Sequence, residues 1–236
     1  MTVTWEELGW ERLTEGVGRV RLPGWDCTAG LVITPGAALV IDSGSSLAEG
    51  ARLRSDAERI AGVNVTHLAL THSHFDHVFG AAAFPGAEVY AAHAGYDAGE
   101  LTGDAVRGGL GAGVAQEAAS ALTAPRHVVS GTCTPVPGVL LASLGPAHSP
   151  DDLVVVVSGV SGAVPVVFCG DLVEESGEPQ AGPDAVPSRW PRALDALLAL
   201  GGEDAVYVPG HGAVVDASFV RRQRDALSER FGVSRA

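Results

Sequence analysis

Apolar residues first come in short runs broken by turn signals. Between Leu8 and Asp42 the breaks are Gly16-Val17-Gly18, Pro23-Gly24 and Pro35-Gly36, so residues 31–34 and 37–41 read as two strands of a meander. The period then lengthens. Ser46 can cap a helix running to about residue 61, with Leu47, Ala51, Leu53 and Ile60 near one face. Residues 63–70 predict a strand, 76–83 a short helix with Asp76 suited to its first turn, and 88–92 a strand ending at His93. The Gly- and Ala-rich stretch 95–125 has no clean period and reads as a helical segment or a mobile flap. Two or three strands follow in 126–143. Residues 153–157 and 164–168 are unbroken apolar runs typical of buried strands, the second ending at Cys169-Gly170-Asp171. Residues 188–200 predict a helix that tolerates Pro191 in its first turn and turns Leu194, Leu197 and Leu198 inward. A last strand spans 205–208, and Asp216 caps a terminal helix carrying Phe219, Val220 and Leu227. Two β-rich halves, each closing with helices, predict two sheets covered by helices within a single domain spanning 1–236.

Composition narrows the partners. A hydrophobic fraction of 46% is ample for a large core. The formal charge is -13 and every basic residue is Arg, so the surface repels phosphate backbones and no nucleic-acid partner is expected. The N-terminus lacks a basic, then apolar, leader pattern, and no run approaches the roughly 20 apolar residues of a membrane span, so a soluble cytoplasmic protein with no membrane partner is expected. The richness in Ala, Gly and Arg without Lys is that of a GC-rich bacterial genome. Cys27, Cys133 and Cys169 are odd in number and contain no C-x-x-C pair, which argues against a disulfide framework and leaves them as small buried apolar residues.

The densest chemistry lies at Thr71-His72-Ser73-His74-Phe75-Asp76-His77, directly after a predicted strand. Three imidazoles and a carboxylate within six residues exceed what a core or a solvated loop needs, and α/β proteins commonly build sites on loops leaving the carboxyl ends of strands. Three more ligand-type residues, His148, Asp171 and His211, sit at predicted strand ends beside Gly or Pro. Singly, each could be an ordinary loop or turn residue. With the first cluster they make five His and two Asp, enough for two metal ions with positions left for water and substrate.

The order H-x-H-x-D-H, then His, then Gly-Asp, then Gly-His resembles the metallo-β-lactamase superfamily over essentially the whole chain. The resemblance implies an α+β fold, the four-layer αββα sandwich of the metallo-β-lactamases. It implies one metal held by His72, His74 and His148, a second by Asp76, His77 and His211, and Asp171 bridging them. Asp42, at the end of an early strand, would orient the ligand loops by hydrogen bonds. Two divalent ions are implied, zinc first, though iron or manganese can occupy the same ligands. Such a centre brings the ionisation of its water towards neutral pH, so that a metal-bridging hydroxide can attack a polarised carbonyl. Asp76 would then be the catalytic residue, holding the proton of that hydroxide in line.

The implied activity is hydrolysis of an ester, lactone, thioester or amide bond in a small metabolite. Gly170-Asp171 resembles the bridging-Asp branch, which includes glyoxalase II-like thioesterases and lactonases, whereas the β-lactamases sharing the first cluster generally place Cys at the later position. Cys169 could take that role only in a shifted alignment. The alternatives are a true β-lactamase, a mono-iron dioxygenase acting on sulfur compounds, and a metal-stabilised binding protein without catalysis. Trp25, in the turn at 22–25, is a candidate substrate-lining residue, as are the segments 95–125 and 172–189. Glu174 and Glu175 read as solvated surface acids.

Overall fold

The computed structural model describes residues 3–158 and 164–233. It comprises two compact units, Met1–Val128 and Val129–Ala236.

The first unit is a seven-stranded sheet whose spatial order follows the sequence: β1 (Glu11–Thr14), β2 (Val17–Arg21), β3 (Thr28–Thr34), β4 (Ala37–Ile41), β5 (Val65–Ala69), β6 (Glu88–Ala91) and β7 (His127–Val128). The first four strands form the expected antiparallel meander, and β4 to β7 run parallel. Parallel neighbours need crossovers. These are α1 (Leu47–Ala61), the short α2 (Phe75–Val78) with a 3-10 turn at Ala81–Ala83, and the pair α3 (Ala98–Arg107) and α4 (Ala112–Ala121). Ala29, Leu31, Ala38, Val40, Leu68 and Leu70 from the sheet pack with Leu53 and Ala57 of α1 and with Phe79. Val32, Leu39, Ile41 and Ala69, of opposite side-chain parity, are buried as well, which is why these strands read as unbroken apolar runs.

The stretch 95–125 is helical, and it is not a flap: Leu101, Ala105, Ala115, Ala118 and Ala119 belong to the same core cluster. Its small residues hid the period because Ala carries little hydrophobic contrast. In α1, Ser46 accepts a hydrogen bond from the Glu49 amide as an N-cap should, and Gly62 closes the helix in the left-handed region. Ala51 is exposed, and Gly50 faces inward instead. A Cβ at Gly50 would strike the backbone of Gly80, so the helix approaches the metal-type loop only because neither residue has a side chain.

The second unit holds a five-stranded sheet in the order β12-β11-β10-β9-β8. Its strands are β8 (Thr132–Val136), β9 (Val139–Ser143), β10 (Leu153–Val157), β11 (Val166–Glu174) and β12 (Val206–His211). All neighbours are antiparallel except β11 and β12, which are joined through α5 (Trp190–Gly201). Val154, Val156, Val167 and Tyr207 pack with Trp190, Leu194 and Leu197 of α5 and with Val220 and Leu227 of α6 (Ala217–Phe231). Asp216 caps α6 by accepting from the Phe219 amide.

β11 does not stop at Cys169. It runs on through Asp171 to Glu174, with Leu172 and Val173 fully buried. The pairing with β12 is irregular on both sides of Gly170, whose φ is 53°. Gly-Asp reads as a turn in sequence, but here the glycine permits a bulge that keeps the strand going while re-aiming Asp171. Glu174 is likewise no solvated acid. It is 9% exposed, accepts hydrogen bonds from Ser176, and is raised above the usual carboxylate range chiefly by burial. Glu175 accepts from the Ala213 amide.

Candidate metal centre

The parallel strands of the first unit align their carboxyl ends, and three consecutive ends carry polar residues: Asp42 after β4, Thr71 to His77 after β5, and His93 after β6. Asp42 is buried at φ 59°, a left-handed conformation that Asp tolerates better than most residues. Its Oδ1 accepts from the Thr71 amide at 2.8 Å, and its Oδ2 accepts from Thr71 Oγ1 and faces His77 Nδ1, each at 2.8 Å. The Ser43 amide and hydroxyl both donate to the His77 carbonyl. His77 is thereby held at ring and backbone, with Nε2 facing Asp76 Oδ2 at 3.7 Å.

The same network selects which nitrogens keep a lone pair for a metal. Thr71 Oγ1 gives its proton to Asp42, so at 3.0 Å from His72 Nδ1 it accepts from that nitrogen and leaves His72 Nε2 as the lone-pair site. That Nε2 lies 3.0 Å from His74 Nδ1. Two nitrogens, each about 2.1 Å from one tetrahedral ion, are separated by about 3.4 Å. The pair therefore fits a shared ion with a small relaxation. Cys27, read from sequence as a plain buried residue, lies in this unit's ligand group with Asp76 and His77. Burial pushes its thiol up to about 12, partly opposed by His77.

In the second unit Asp171 is the hub. Its Oδ2 lies 3.5 Å from His148 Nε2 and 3.3 Å from His211 Nε2. His148 Nδ1 is 3.1 Å from the Gln180 carbonyl, to which it must donate, so Nε2 is its lone-pair atom. The loop that carries His148 is fixed by Asp152, which accepts from the Ser149 amide and hydroxyl, and the ring meets the edge of Trp190 at 5.3 Å. A Cβ at Gly210, next to His211, would collide with Asp171 Oδ1, so glycine there is a condition for the carboxylate's position. Cys169 points away from such chemistry: it belongs to the apolar core and its Sγ donates to the Val167 carbonyl.

The structure thus brings together Asp42, His72, His74, Asp76 and His77 in one unit, and His148, Asp171 and His211 in the other. Trp25 stacks edge-on against Phe75 at 5.3 Å, and its Nε1 donates to the Gly108 carbonyl at 3.3 Å, which ties its turn to α2 and the end of α3. Sequence reasoning missed Thr71 and Ser43 as supports, because their role depends on which strand lies beside β5. It also missed His93, which is 4% exposed and has no hydrogen-bond partner at either ring nitrogen among the described residues. Its ring meets the edge of Tyr96, whose buried hydroxyl likewise has no hydrogen-bond partner among the described residues.

Two sheets clad in helices, with clustered His and Asp donors at strand ends, define an α+β protein able to bind metal. The metallo-beta-lactamase superfamily model matches residues 22–211, and the chain belongs to that superfamily. Its fold is that of the metallo-beta-lactamase FIM-1 from Pseudomonas aeruginosa in the mono-zinc form, with a TM-score of 0.70 at 20% identity over 95% of this chain and 96% of that one. A metallo-beta-lactamase from Hirschia baltica gives 0.67 at 16% identity over 93% and 96%. One from Erythrobacter litoralis, with beta mercaptoethanol in the active site, gives 0.69 at 18% over 93% and 96%. No curated protein matches the sequence. The α+β metallo-β-lactamase fold expected from the sequence is therefore the observed one. Among the described residues, no helix is long and apolar enough to cross a membrane.

Proposed function

We propose that this chain is a dinuclear metal-dependent hydrolase of an ester, lactone, thioester or amide bond in a small metabolite. His72, His74 and His148 would hold one ion, Asp76, His77 and His211 the other, with Asp171 between them. The observation that carries this is the donor chemistry: His72 Nε2 and His74 Nδ1 converge at 3.0 Å, and Asp171 faces two histidine Nε2 atoms at 3.5 and 3.3 Å. That both sets serve one centre, in one domain, rests on the family match, which runs through both units.

When bound, the ions supply Lewis acidity, polarising a carbonyl and making hydroxide available near pH 7. The chain's own residues do the rest. The hydrogen bonds to Thr71, Asp42 and Gln180 orient the imidazoles as lone-pair donors, which add no negative charge to the ions. Asp76 would accept a hydrogen bond from the attacking hydroxide and hold it in line. Trp25, packed on the Phe75 ring beside Asp76, would line the substrate's approach. The acidic surface is poorly suited to polyanions, so the substrate is a small molecule.

The purified chain is expected to hold close to two transition-metal ions at neutral pH, and His72→Ala to lower that content and abolish hydrolysis. Less than one ion per chain, or unchanged content in the variant, overturns the reading. A second reading follows from the likeness to metallo-beta-lactamases. Turnover of a chromogenic β-lactam at rates above those on ester, lactone and thioester panels would favour it.

A further inference from the structure

We propose that Cys27 supplies a thiolate to the ion held by Asp76 and His77. This rests on the metal-dependent reading above and adds to it a sulfur donor that belongs to none of the expected ligand sets. The first unit then offers that ion three donors of its own.

Cys27 follows the turn at 22–26, where the Leu22 amide donates to the Cys27 carbonyl and Asp26 takes a left-handed φ of 60°. This tight reversal places the side chain inward, 2% exposed, against His77. Its Sγ lies 3.7 Å from His77 Nε2 and 3.6 Å from Nδ1. A sulfur at about 2.3 Å and a nitrogen at about 2.1 Å from one tetrahedral ion are about 3.6 Å apart. The Nε2 distance matches, while the 3.7 Å between Nε2 and Asp76 Oδ2 exceeds the roughly 3.4 Å of a nitrogen and an oxygen on one ion by a small relaxation. Near-equal distances to both nitrogens put the sulfur over the ring, so ligation requires the thiol to swing towards the Nε2 side. Its hydrogen-bonding contact outside the His77 ring is weak, with the Thr28 carbonyl at 3.8 Å.

The chemistry balances simply. The thiol proton leaves to solvent as the sulfur lone pair is donated to the divalent ion, with no change of oxidation state. Thiolate and Asp76 carboxylate together neutralise that ion's formal charge, which makes it a firmly held ion and leaves the stronger Lewis acidity to the one held by imidazoles.

Cobalt(II) added to the metal-free full chain tests this directly. Wild-type protein should develop a sulfur-to-cobalt charge-transfer band in the near ultraviolet. Cys27→Ser should lose it, while Cys133→Ser and Cys169→Ser keep it. X-ray absorption at the zinc edge of the wild-type protein needs no variant and should contain a sulfur scatterer at about 2.3 Å. Saturating metal without the band and without the sulfur scatterer overturns the thiolate alone, as does a band surviving in Cys27→Ser. Failure to bind any metal overturns the hydrolase reading as well.

Discussion

Asp42 Oδ2 lies 2.8 Å from His77 Nδ1, and the same oxygen accepts from Thr71 Oγ1, whose own oxygen faces His72 Nδ1 at 3.0 Å. One buried carboxylate at the end of β4 thereby sets the tautomer of two histidines on the loop after β5. Neutral replacement should unlock both. Asp42→Asn is expected to weaken metal affinity about 10- to 100-fold, the usual effect of losing an outer partner of a ligating imidazole. Competition titration against a chromophoric chelator measures it, and an unchanged affinity would show that the carboxylate merely fills space.

The loop also depends on a close backbone approach. A Cβ at Gly80 would collide with the Ser43 carbonyl and crowd Gly50. Because the opposing atoms are backbone, they have little room to yield, and Gly80→Ala should destabilise by about 2 kcal/mol. Gly103, inside α3, would meet only the flexible end of Arg107. Gly103→Ala should instead stabilise by about 0.5 to 1 kcal/mol through helix propensity. Urea midpoints of the two variants should move in opposite directions.

His93 predicts an acid sensitivity. Burial lowers its pKa from 6.5 to about 4, so below pH 6.5 the unfolded chain takes up a proton that the folded chain refuses. Stability is complete above that value and falls as pH drops towards 4. At pH 5 the loss is on the order of 2 kcal/mol. Metal-free wild type should therefore lose more stability between pH 7 and pH 5 than His93→Gln does. Parallel curves for the two proteins would assign the acid sensitivity to other groups.

Most of the candidate ligand set was legible in the sequence because metal-binding residue types recur there in a tight spacing, and because glycines and prolines mark the strand ends that carry them. His72, His74, Asp76 and His77 need only local chain geometry to converge. The helices α1 and α5 were legible for the same local reason, whereas 95–125, with weak hydrophobic contrast, was legible only as a helical segment or a flap, and its division into α3 and α4 was not.

The resemblance pointed to Asp42 as a support, but only tertiary structure decided which groups the supports hold. Asp42 reaches His77, and Ser43 reaches its carbonyl, because β4 lies parallel to β5, a pairing made across the whole of α1. Asp171 stays within β11 because β12 offers it a bulged parallel partner and a glycine at residue 210. Cys27 is the sharpest case. By sequence it is one small apolar residue among many, and only the 22–26 reversal, folded against a loop fifty residues further on, sets its sulfur beside His77. Side-chain type and local spacing are properties of the sequence itself; contacts between distant segments follow from which strands pair, and no local pattern records that.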